Sequence, residues 1–194
     1  MCKSAQSGFT LTEVLVAIFV LALGIVGAAA MQLTALRTRH QSALLSTAVQ
    51  LASSMADRMR ANTTQMQLGD AENRYLNLAY ETAVDAPPDA PSTAAGVACF
   101  SAQRCDSGQL ADFDIEDFKR QVRGLPAGHL VICRDQSAWD RASQALRWEC
   151  SATAGAPIVI KLGWRAKNPD GTAPHDAGPA VALALVGAST GALK

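Results

Sequence analysis

Few side chains in this 194-residue sequence are placed to do chemistry, and the most telling is a carboxylate. Glu13 is the only charged residue between Lys3 and Arg37, and it stands just ahead of VLVAIFVLALGIVGAAAM, the 18 residues from Val14 to Met31, none of which has a polar side chain. A carboxylate within a membrane-crossing helix costs on the order of 2.5–3.5 kcal/mol at mid-helix, so an acid kept there is functional by default. The rest of the chemical inventory is thin. Five cysteines, Cys2, Cys99, Cys105, Cys133 and Cys150, form no C-x-x-C pair, and His40, His129 and His175 are scattered, so no ligand pair has the short spacing of structural zinc. There is no G-x-S-x-G elbow, phosphate-binding glycine loop, H-E-x-x-H helix or dinucleotide fingerprint. Asp112, Asp114, Glu116 and Asp117 read as helix-start acids favoured by the dipole rather than as a cation site or an acid pair. Trp139, Trp148 and Trp164 read as core or strand-pair aromatics rather than a sugar-binding platform. No catalytic residue, metal or cofactor is assigned, and the chain reads as a non-enzyme.

The element that positions Glu13 is the apolar run itself. At ~1.5 Å per residue, residues 9–36 reach ~42 Å as a helix, beyond the ~30 Å of a bilayer's hydrocarbon. They lack the polar face that a core helix of a soluble protein would show. Three uses compete: a secretory signal with Lys3 as its charged end and Ala28-Ala29-Ala30 as its cut site, a plain membrane anchor, or a short polar leader removed ahead of a run that stays in the product. A disposable signal has no use for Glu13, although an acid one turn inside the membrane edge can also simply snorkel to water. Lys3 on one side and Arg37 and Arg39 on the other fit the positive-inside rule poorly.

The residues Gly8-Phe9-Thr10-Leu11-Thr12-Glu13-Val14-Leu15-Val16-Ala17 resemble the prepilin motif G-F-[TS]-L-x-E shared by type IV pilins and type II secretion pseudopilins. The resemblance implies that residues 1–8 are a leader, that prepilin peptidase cuts between Gly8 and Phe9, and that Phe9 becomes the methylated N-terminus. It also implies that Glu13, fifth in the mature chain, docks onto the α-ammonium of a neighbouring subunit's Phe9. Opposite charges attract strongly in low dielectric, and such a pair fixes the axial register between subunits. Thr12 stands where the family commonly has an apolar residue, and its hydroxyl is expected to bond back to a helix carbonyl. Gly24, Gly27 and Ala28 to Ala30 form a small-residue stretch where the resemblance implies local unwinding in the fibre.

Beyond the membrane the helix continues as a stripe of Leu33, Leu36, His40, Leu44, Thr47, Leu51, Met55 and Met59, giving one helix over residues 9–62, ~80 Å long. Residues 63–96, with Pro87, Pro88 and Pro91, read as a long surface connection. Residues 112–125 read as an amphipathic helix capped by Asp112 or Asp114 and stopped by Pro126 and Gly128. Strands follow at 130–134, 146–150, 158–164 and 181–186, with a turn at Asn168-Pro169-Asp170-Gly171 before the last. The expected fold is α+β: a long N-terminal helix, membrane-spanning in its first half, packed on a small, mainly antiparallel sheet. The expected division is a leader at 1–8, a transmembrane and assembly half at 9–36, a periplasmic half at 37–62 and a disulfide-bearing head at 63–194.

Without the first eight residues four cysteines remain, an even number consistent with two disulfides and an oxidising compartment. Cys99 with Cys105 and Cys133 with Cys150 are favoured because each pair closes a local loop, though four cysteines allow three connectivities. Cys133 and Cys150 both fall in candidate strands, which allows a bridge between neighbours. Lys+Arg and Asp+Glu both total 17, so no basic field suggests nucleic acid.

Ala56-Asp57-Arg58-Met59-Arg60-Ala61-Asn62, the acidic helix leading into Leu125-Pro126-Ala127-Gly128, and Val131-Ile132-Cys133-Arg134-Asp135 resemble the PilV family of minor pilins, the type IV pilus modification proteins. That resemblance implies a subunit of the bacterial inner membrane with its head in the periplasm, later part of an extracellular pilus. Its implied partners are prepilin peptidase, other minor pilins, the major pilin, the inner-membrane assembly platform and membrane lipid. Its implied role is fibre initiation, with effects on twitching motility and adhesion. The alternatives are a type II secretion pseudopilin and an anchored or secreted ligand-binding module.

Overall fold

The computed structural model describes residues 10–82, 99, 104–165 and 178–185. The chain divides into two compact units, residues 1–43 and 44–194. Helix α1, Leu11–Ala61, contributes to both and is unbroken over 51 residues. Gly24 and Gly27 lie inside it in regular α conformation, with nothing near the positions their side chains would take. Leucine, alanine and methionine favour helix strongly enough to carry two isolated glycines, each costing about 1 kcal/mol against alanine.

The second unit is α+β. After α1 come α2, Thr63–Met66; β1, Leu78–Glu81; α3, Ser107–Val122; β2, His129–Arg134; β3, Trp139–Asp140; β4, Ala145–Leu146; β5, Ile158–Gly163; and β6, Val181–Leu185. Four strands form an antiparallel sheet in the order β1-β2-β5-β6, and β3 pairs with β4 in a separate hairpin. The register sets Ile132 opposite Ile160 and Leu130 opposite Leu162. The strand period of two therefore puts Leu130, Ile132, Ile158, Ile160 and Leu162 on one face. That face packs on Ala52, Met55, Ala56 and Met59 of α1 and on Ala111, Ile115, Phe118 and Val122 of α3. Every residue of β5 is buried, with Asp135, Trp148 and Glu149 against Lys161 on the other face. A strand covered on both sides reads as a continuous apolar run rather than an alternation, and Ile158-Val159-Ile160 does so.

The stripe that α1 uses differs from the sequence reading. Leu33, Leu36, His40 and Thr47 are exposed, and the buried line is Ala48, Ala52, Met55, Ala56 and Met59, with Leu44 and Leu51 at its margin. Alanines at 48, 52 and 56 share a face by their four-residue spacing, and small side chains let a sheet approach the helix closely. A stripe counted on large apolar residues misses them.

Other expectations change as well. Helix α3 starts at Ser107, five residues ahead of expectation, under a capping box in which Asp106 accepts the Gln109 N–H at 2.7 Å and the Gln109 side chain accepts the Asp106 N–H at 3.0 Å. Neither Asp112 nor Asp114 is the cap. The helix closes at Val122, where Gly128 folds back beneath it. A Cβ on Gly128 would sit 2.3 Å from the Val122 carbonyl oxygen, so the Leu125-Pro126-Ala127-Gly128 turn requires glycine there. Within the expected connection, α2 and β1 are ordered elements, and β1 takes the sheet place expected of 146–150. Of that stretch only Leu146 is in a strand. Residue 164 falls beyond β5. Residue 186, the turn at 168–171 and the prolines at 87, 88 and 91 lie outside the described residues.

Candidate assembly site

In the first unit the chain enters α1 through Thr10. Its carbonyl accepts the Glu13 N–H at 3.1 Å and the Val14 N–H at 3.3 Å, and its Oγ1 lies 3.4 Å from the Glu13 nitrogen. A threonine hydroxyl bonding to a first-turn amide is the N-cap arrangement, and it puts Glu13 in the first turn, where the helix dipole favours a carboxylate. The Thr12 hydroxyl lies 3.2 Å from Thr10 Oγ1, and the carbonyls one turn back, those of residues 8 and 9, lie outside the described residues. The back-bonding geometry occurs further along, from Thr34 to the Ala30 carbonyl and from Thr38 to the Thr34 carbonyl, both at 3.1 Å. Gly8 and Phe9, the expected cleavage and methylation residues, lie outside the described residues.

From Leu11 to Leu36 the large apolar side chains are 47–80% exposed. Helix α1 is long and apolar enough to cross a membrane, with its apolar window wholly unburied. A face of that kind is stable in lipid or against other helices, and costly in water.

In the second unit, three polar clusters fix the elements of the sheet and helices. At the end of α1, Arg58 bonds Asp114 at 3.3 Å and Asp117 at 2.7 Å on α3. The Tyr75 hydroxyl donates to Asp114 at 2.8 Å, and the Asn62 amide donates to the Tyr75 oxygen at 3.1 Å and to the Ser107 carbonyl at 2.8 Å. Burial pushes the Tyr75 phenol well above its ordinary value; the Asn62 hydrogen bond works against this, and the Asp114 hydrogen bond and charge reinforce it. The acids of α3 are thus not helix-start acids. They lie in the middle turns and bind cations: Asp112 pairs with Arg74, Glu116 with Lys119, and Asp117 with both Arg58 and Arg120.

The second cluster is Arg134, whose Nε lies 2.8 and 2.7 Å from the two carboxylate oxygens of Asp70, while its Nη1 donates to the Ala156 carbonyl at 2.7 Å. The third is a fully buried ion pair, Lys161 Nζ to Asp135 Oδ2 at 2.7 Å. The ammonium also donates to the carbonyls of Glu149 at 2.7 Å and Trp148 at 3.3 Å. Burial by itself would push the Asp135 carboxyl up, but hydrogen bonds from Lys161, Ser137 and Ser151, together with the Lys161 charge, hold it below the usual carboxylate range. Sequence reasoning passed over Lys161. The signal was there: a lysine inside Ile158-Val159-Ile160-Lys161-Leu162 in a strand buried on both faces must be paired.

Disulfides join Cys99 to Cys105 and Cys133 to Cys150. Cys150 lies outside any strand, so the second bond ties β2 to an irregular segment rather than to a neighbouring strand. The tryptophans occupy different settings. Trp164 packs at the edge of the core, Trp148 stacks on His129 with ring centroids 3.8 Å apart, and Trp139 is exposed opposite Leu146.

Residues 3–29 match the model of the prokaryotic N-terminal methylation motif, and residues 30–116 match the Tt1218-like family, described as type IV pilin Tt1218. The chain carries a type IV pilin domain behind an N-terminal methylation motif. The two matches abut and take in the apolar helix, its continuation to Ala61 and most of α3. No curated protein and no solved structure matches the chain. The motif implies processing of the pilin by prepilin peptidase and assembly with other pilins. With the exposed apolar helix it makes the pilin membrane-anchored, and the family is structural rather than enzymatic.

Proposed function

We propose that this pilin is a minor subunit that primes or modifies type IV pilus assembly. Prepilin peptidase cuts it between Gly8 and Phe9, Phe9 is methylated, and the Glu13 carboxylate docks onto the N-terminus of a neighbouring subunit as α1 leaves the membrane. The head is carried on the periplasmic side, where its two disulfides are stable, and enters the extracellular fibre. It works without catalysis or cofactor. The reading rests above all on Glu13, a lone acid in the first turn of an apolar helix that is otherwise uncharged as far as Arg37. An acid so placed gains most from a cationic partner that arrives within the membrane. The likeness to PilV at residues 56–62, 125–128 and 131–135 supports the minor role, with effects on fibre initiation, twitching motility and adhesion.

Mass spectrometry of the mature chain tests the processing step: it is expected to begin at methylated Phe9, and a chain beginning at Met31 would overturn the proposal. Sheared fibres test the role in assembly. Glu13→Ala is expected to be cut and methylated normally yet to be lost from fibres and to lower pilus number. Incorporation at the wild-type level would remove Glu13 from the mechanism.

A further inference from the structure

The outer face of the sheet carries His129, Val131 and Cys133 on β2 and Val159, Lys161 and Gly163 on β5, opposite the side that packs on α1. Residues 135–157 reach over it at Asp135 and at 148–150. Residues 152 and 156 are tied to Arg134 at the end of β2, where the Ala152 N–H donates to the Arg134 carbonyl at 3.1 Å and Arg134 Nη1 donates to the Ala156 carbonyl at 2.7 Å; three further fastenings of this cover converge on residues 148–150. Cys150 is bonded to Cys133. The Trp148 and Glu149 carbonyls accept two hydrogens of the Lys161 ammonium, and its remaining partner, Asp135, begins the cover. The Trp148 ring stacks on His129 and lies so near Gly163 that a Cβ there would be 2.9 Å from it. Every partner of the buried ammonium therefore belongs to the cover. Lys161 cannot stay buried if the cover lifts, and the cover cannot lift without hydrating Lys161.

We infer that residues 135–157 form a redox-latched cover, with the Cys133–Cys150 disulfide as latch, and that Lys161 is shielded from solvent only while the latch is closed. A dithiol supplies the two electrons and two protons that open it. The S–S bond breaks, Cys133 and Cys150 become thiols, and the dithiol leaves as its own disulfide. Once cut, the segment regains the chain freedom that the cross-link had removed, and the remaining hydrogen bonds no longer hold 148–150 against the sheet. Opening is local because the core between α1, α3 and the inner face shares no residue with the cover. With export as proposed above, the outer face would stay open on the reducing side of the membrane and close after oxidation; the cover itself does not depend on that reading.

The test is amine labelling of the full chain in detergent micelles, oxidised and after dithiothreitol, with Lys161 and Lys119 quantified in the same digest by mass spectrometry. Lys161 is expected to label on the order of a hundredfold faster once reduced, while Lys119, 22% exposed and paired with Glu116 within α3 away from the cover, changes little. The Cys133→Ser/Cys150→Ser variant should label like the reduced protein without reductant, and Cys99→Ser/Cys105→Ser should keep Lys161 protected. Amide exchange across residues 52–59 is followed in parallel. Equal Lys161 labelling in both states would overturn the inference, as would loss of protection at 52–59 by the same factor, which would mean that the whole head unfolds. Failure of Glu13→Ala to affect assembly would leave this result untouched.

Discussion

Replacing Asp114 with alanine should destabilise the second unit by about 1–4 kcal/mol, and the structure says where that figure arises. The Asp114 carboxylate is buried and accepts from two donors, the Tyr75 hydroxyl at 2.8 Å and Arg58 at 3.3 Å. Tyr75 is fully buried, so its hydroxyl is left without an acceptor, a loss of about 1–3 kcal/mol. Arg58 is 32% exposed and keeps Asp117 at 2.7 Å, so solvent screening holds its share to about 1 kcal/mol or less. Asp114→Asn keeps an acceptor for Tyr75 and should cost only about 1 kcal/mol. Tyr75→Phe removes the donor, so the Asp114→Ala/Tyr75→Phe double variant should cost less than the sum of the singles by about 1 kcal/mol or more. For a unit of this size, each kcal/mol moves the melting temperature by about 2–4 °C. Thermal and urea unfolding of the full chain in micelles, followed by tryptophan fluorescence, measures all four proteins. An Asp114→Ala cost below about 1 kcal/mol, or strict additivity with Tyr75→Phe, would refute the network as a stabilising unit.

The same cluster predicts a pH response. The folded state raises the Tyr75 pKa, so its contribution is fully present below the unfolded value of about 10 and is lost as pH rises beyond it; Tyr75→Phe should flatten the alkaline limb of the stability curve. Asp135 is shifted the other way, so its contribution is present above about pH 4 and lost as pH falls through the lower folded value. Asp135→Asn, which leaves the buried Lys161 without a counter-charge, should cost about 3–5 kcal/mol by urea unfolding at pH 7 and flatten the acid limb. Gly163→Ala should displace the Trp148 ring, with a red shift in emission and a cost of about 1–3 kcal/mol. Asp106→Ala removes the α3 cap and should lower stability by about 1 kcal/mol, with faster amide exchange in the first turn of that helix.

What could be read from the sequence was whatever depends on neighbours along the chain. The apolar run, the acid at its start and the α+β pattern are local signals: each needs only a stretch of residues and the period of one element. Hence Glu13 appears in the first turn of α1, and the cores of β2, β5 and β6 fall where alternating or continuous apolar residues put them. The capping box of Asp106 and Gln109 was equally local, and would have set the start of α3 had it been weighed against the acids further on.

Tertiary structure decided which face each element uses and which distant charges meet. Small alanines rather than large apolar residues line α1 against the sheet, because close approach is a property of the pair of surfaces and not of the helix. Arg58 finds Asp114 across 56 residues, and Arg134 finds Asp70 across 64. Strand β1 enters the sheet from a stretch whose polar composition resembles a loop, since pairing with Leu130 and Ile132 supplies what its own sequence lacks. Lys161 is the sharpest case. A buried ammonium is stable only with its three acceptors in place, and Asp135, Trp148 and Glu149 come together only once the cover has folded onto the sheet.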